Sequence, residues 1–68
     1  MNLVTISQWE QWAVAAHFIR KHGQEAPLVI AMRADHLLEE GEVRGARTFA
    51  AIMCKSERLL QGTEGSIH

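Results

Sequence analysis

A glycine at position 41 separates two runs of helical periodicity that together span Pro27 to Leu60. In the second run the residue types sort sharply at about 100° per residue. Ala46, Phe49, Met53 and Leu60 fall on one side, and Arg44, Arg47, Lys55 and Arg58 gather around Ala51 on another. A glycine supplies the left-handed residue that ends a helix. A loop this short makes successive helices antiparallel neighbours. The segment therefore reads as a helical hairpin.

The rest of the chain extends that pattern. Ser7-Gln8-Trp9-Glu10 has the form of a capping box, and Thr5 with Gln8 offers a rival box two residues earlier. A first helix runs from there to about His22. Arg20, Lys21 and His22 suit its negative end, and Gly23 suits its cap. Ala26-Pro27 restarts the chain, since proline is tolerated in a first helical turn. No sustained period-two alternation argues for strands. The expected fold is all-α, a compact antiparallel three-helix bundle over about 7–22, 27–40 and 42–61. Gly62 is expected to stop the third helix. The reading gives a single helical domain over 1–62 and a flexible tail over 63–68.

Each helix has a candidate core face. In the first it is Trp9, Trp12, Ala13, Ala16 and Ile19, with Ala15 at the edge. In the second it is Ile30, Ala31, Ala34, Leu37 and Leu38. In the third it is Ala46, Phe49, Ile52, Met53, Leu59 and Leu60. Gly45 weakens the start of the third helix or admits a close neighbour. Between the hairpin arms Asp35 falls level with Arg47, which predicts an ion pair. Arg44 and Arg47 are also placed to offset Glu39 and Glu40 at the end of the second helix.

Size makes the remaining apolar residues informative. At 68 residues, apolar burial barely exceeds the entropy of folding. Yet 47% of the chain is hydrophobic. Val14 with Phe18, and Leu28 with Val29 and Met32, lie off the expected core faces. Scattered exposed hydrophobes are ordinary on proteins. The reading preferred is a second apolar seam, formed by Val14, Phe18, Leu28 and Met32, for a homodimer or an unidentified protein partner.

Charge and motif narrow the function classes. A net charge of −1 argues against wholesale attraction to nucleic acid or acidic membranes. Arg44, Arg47, Lys55 and Arg58 still form a candidate face for an anionic partner, so a nucleic-acid-associated regulator is the second reading. A recognition helix wants Asn, Gln, Ser or Thr beside its arginines, and Thr48 is the only clear candidate, which argues against a helix-turn-helix. A small phage or mobile-element inhibitor of a host machine is a third. His17 and His22 are five apart and share no face. His36 and Glu40 are four apart, but two ligands do not make a zinc site. Cys54 is the single cysteine, expected as a half-buried structural thiol. No phosphate loop, dinucleotide fingerprint or nucleophile elbow occurs. These observations predict no catalytic residues, no cofactor, no metal and no small-molecule substrate. The missing motifs predict a non-enzymatic protein, and a lone thiol, no membrane span and no leader at Met1–Ile6 predict a cytoplasmic one.

Trp12, His22-Gly23, Ala26-Pro27, Ile30-Ala31-Met32-Arg33-Ala34-Asp35, Leu38, Gly41 and Gly45-Ala46-Arg47-Thr48-Phe49 resemble a family of short, uncharacterised bacterial helical proteins. The resemblance covers about residues 9–60. It implies a compact helical domain in the bacterial cytoplasm and carries no activity. Leu38-x-x-Gly41-x-x-x-x-Ala46 is also similar to a tetratricopeptide turn. One such pair does not make a stacked array.

Overall fold

The computed structural model describes residues 7–65, and all regular structure among them is helical. Helix α1 spans Gln8–His22, α2 spans Ala26–Glu39 and α3 spans Val43–Gly65. A 3₁₀ turn, Gly23–Glu25, joins α1 to α2 without a free loop. The elements adjoin from Gln8 to Glu39, but Gly23 leaves helical dihedrals between α1 and α2 and sets the bend there. The chain is two helical arms, the first of them bent, where three separated helices were expected.

Local chemistry sets the ends. The Ser7 hydroxyl accepts from the Glu10 N–H at 3.2 Å, and the Ser7 N–H donates to Glu10 Oε1 at 2.9 Å. This is the complete capping box; its rival falls on Thr5, outside the described residues. Arg20, Lys21 and His22 occupy the last turn of α1 as expected. Gly23 has φ +60° but an extended ψ of −134°, a pairing open to glycine, and its N–H still donates to the Ile19 carbonyl. Pro27 lies in the first turn of α2.

At the end of α2, the Gly41 N–H donates to Leu38 O at 3.0 Å and the Glu42 N–H to Leu37 O at 2.8 Å. That pair of bonds, with Gly41 at φ +81°, is a Schellman motif. A Cβ on Gly41 would meet nothing within 4 Å, so only backbone strain penalises a side chain there. Gly41→Ala should therefore cost about 1–2 kcal/mol in a urea titration. Gly62 has the same open surroundings without a positive φ, and α3 passes straight through it to Gly65. The expected stop at Gly62 is corrected. Glycine disfavours a helix interior by about 0.5–1 kcal/mol and does not forbid it. Gly62→Ala should gain roughly that amount. Equal losses at both glycines would contradict these conformations. Of the expected 63–68 tail, 63–65 are helical and 66–68 lie outside the described residues.

The core is Ala15, Ile30, Phe49 and Ile52, with Val14, Phe18, Ala34, Leu37, Met53 and Leu59 packed around it. The expected faces of α2 and α3 hold, except that Leu38 is mostly exposed. Gly45 and Ala46 are buried. Ser56 is fully buried as well, its hydroxyl donating to Met53 O at 2.6 Å. Ser56 shares the inward face with Phe49, Ile52 and Met53 at 100° per residue, and that backbone bond satisfies its buried hydroxyl.

The face of α1 differs from expectation. Ala15 is its buried centre, while Ala13 is exposed and Trp9 is 76% exposed. The helix is rotated by about a quarter turn from the tryptophan-centred reading, at 100° per residue. A small residue lets α1 approach Ile30, Phe49 and Ile52 together, and the larger Phe18 fills the gap beside it. The Phe18 ring meets Phe49 edge-on at 6.3 Å and stacks on His22 at 5.9 Å. Farther back on α1, Gln11 and Trp12 meet Lys55. Positions rise along α1 as they fall along α3, whereas an up-down-up bundle would set those two helices parallel.

Candidate functional site

Apart from Trp9 on α1, the large exposed apolar residues lie on α2 and the start of α3. Leu28 and Met32 are each 61% exposed, and Leu38 and Val43 are about half exposed. On α2, Leu38, Asp35, Leu28 and Met32 share an arc of roughly 120° at 100° per residue. Where that arc meets α3 there is an open groove of about 280 Å³. Ala34 and Leu38 form one wall, and Val43, Ala46 and Ala50 form the other. The three alanines keep the groove wide, because no long side chain fills it. No residue of α1 lines it.

The lips of the groove carry opposite charges, Asp35 on α2 and Arg47 on α3. Both are exposed. The expected Asp35–Arg47 ion pair does not form among the described residues. There Glu40 is instead met by His36, with Nε2 and Oε2 3.2 Å apart on the surface of α2. His36, one turn back on the same helix, is the side chain beside Glu40, where Arg44 or Arg47 was expected. A neighbour four residues away needs no reach across the turn.

The other sequence-level candidates divide. Val14 and Phe18, expected on the partner surface, are half-buried against the core. Leu28 and Met32 remain on the surface. Of the four cations, Arg44, Arg47 and Arg58 are exposed. Lys55 is turned toward α1. Its Nζ donates to Gln11 Oε1 at 2.9 Å and lies 5.5 Å from the centre of the Trp12 ring. Thr48 donates its hydroxyl to Arg44 O at 3.0 Å along its own helix. Cys54 is exposed, not half-buried, because it falls on the arginine side of α3 and Met53 takes the inward position. Among the described residues no three His, Cys, Asp or Glu side chains converge on a metal position. No described helix is long and apolar enough to cross a membrane.

Sequence reasoning missed the groove itself. Leu38 and Val43 bracket Gly41, and exposed apolar residues on both sides of a tight turn were the available signal.

Among the described residues the fold is all-α, with Leu28, Met32, Leu38 and Val43 exposed along the α2–α3 hairpin. The chain is a member of a family of unknown function (DUF6961), whose model matches residues 7–64. No curated protein and no solved structure matches it.

Proposed function

We propose that this chain is a small non-enzymatic interaction module that binds protein through the groove between α2 and α3. The reading is carried by one observation. Leu38 and Val43 stand half exposed over an alanine-floored groove on a chain with little core to spare. Burial contributes about 25 cal/mol per Å² of apolar surface, so covering such a face stabilises both the complex and the fold. An apolar groove between two helices suits an amphipathic helix laid into it. Leu28 and Met32 extend the same surface along α2, whereas Val14 and Phe18 serve the core.

A photo-crosslinking amino acid at position 38, expressed in the cell of origin, tests the reading. It should give an adduct heavier than the single chain. The same probe at Glu57, which is exposed on α3 and does not line the groove, should not. Equal labelling from both positions would defeat the docking face.

A further inference from the structure

The groove has one acidic lip and one basic lip, Asp35 and Arg47, which do not pair with each other within the chain. A like-charge neighbour at either lip would be repelled, so the occupant must place a cation over α2 and an anion over α3. A second copy of this chain meets that requirement in one orientation. If two hairpins face each other about an axis parallel to their helices, α2 of each lies over α3 of the other. Asp35 then faces the partner copy's Arg47 twice by symmetry, and Leu38 and Val43 close over each other. The alternative two-fold, across the helices, sets Asp35 on Asp35 and Arg47 on Arg47.

We infer that the occupant of the groove is a second copy of this chain, in a symmetric dimer with α2 over α3 of the partner. The inference rests on the docking face proposed above and names its partner. The hairpins form a four-helix layer, with both α1 helices outside it. Two charge pairs across the seam set the register, and the apolar walls supply the affinity.

The test uses charge exchange between chains, read by sedimentation equilibrium. Wild type should sediment at twice the chain mass, and Asp35→Arg or Arg47→Asp alone should each weaken association roughly a hundredfold or more. An equimolar mixture of those two variants should restore the dimer, because each supplies the charge the other lacks. A chain carrying both changes should self-associate. Both positions are exposed, and the neutral variants Asp35→Asn and Arg47→Gln, with intermediate weakening expected, control for misfolding. Wild type that stays monomeric to about 1 mM would overturn the inference. So would dimers indifferent to either single change, or a mixture that does not reassemble. A monomeric wild type that still crosslinks through position 38 to a different protein would leave the docking face standing and reject the second copy. Loss of that crosslink would reject both.

Discussion

Replacing Ile52 by alanine is expected to leave a large fraction of the chain unfolded at room temperature. Ile52 is fully buried in the core cluster, against Ala15, Ile30 and Phe49. Truncating a buried isoleucine costs about 2–5 kcal/mol, part transfer energy and part cavity. A domain of this size holds only about 3–5 kcal/mol in total. The expected loss is therefore comparable to the whole stability. A 222 nm helicity signal well below wild type at 25 °C, recovering with an excluded osmolyte, would show it. Ile52→Val should cost only about 0.5–1.5 kcal/mol. Cys54→Ala, two residues away and exposed, should stay within about 0.5 kcal/mol of wild type. A stable Ile52→Ala chain would mean that α3 does not present this face to α1 and α2.

The contrast between Ile52 and Cys54 was half legible in the sequence. On α3 the cations Arg44, Arg47 and Arg58 fill one side of the wheel, so the inward direction is fixed by exclusion. Cys54 carries no charge, and its outward direction became plain only with the structure. Helix ends were legible because capping is local. Ser7 with Glu10, Gly23, Pro27 and Gly41 each act within a few residues of themselves. The phase of α1 was not legible in the same way. Apolar residues lie on most of its circumference, and two tryptophans outweigh an alanine by the apolar area they offer for burial. Packing inverts that weighting, since the closest approach between helices requires the smallest side chain. The groove depends on how far α2 stands from α3, and no single helix encodes that distance. Counting from Gly41 sets Asp35 level with Arg47, and both line the groove without pairing.

Phe18→Asp distinguishes a core residue from a seam residue, and it should abolish folding rather than assembly alone. Read on α1 by itself, Phe18 pairs with Val14 away from the tryptophans and belongs to a partner surface. An aspartate on such a surface would dissociate a dimer and leave helicity intact. In the structure Phe18 is half-buried, edge-on to Phe49 and stacked on His22. Removing a core phenylalanine costs about 3–5 kcal/mol, and an ionised carboxylate facing Phe49 adds desolvation. Partial exposure lets water reach the carboxylate and trims both terms, so a loss near 3 kcal/mol is the working figure. That is enough to unfold most of a chain this size. Met32→Asp is the matched comparison, because Met32 stands largely in solvent. It should keep wild-type helicity in the isolated subunit. The two variants therefore separate by circular dichroism at low concentration, where no assembly contributes. If Phe18→Asp keeps full helicity there, Phe18 is not part of the core. If Met32→Asp loses helicity, α2 presents a different side to solvent.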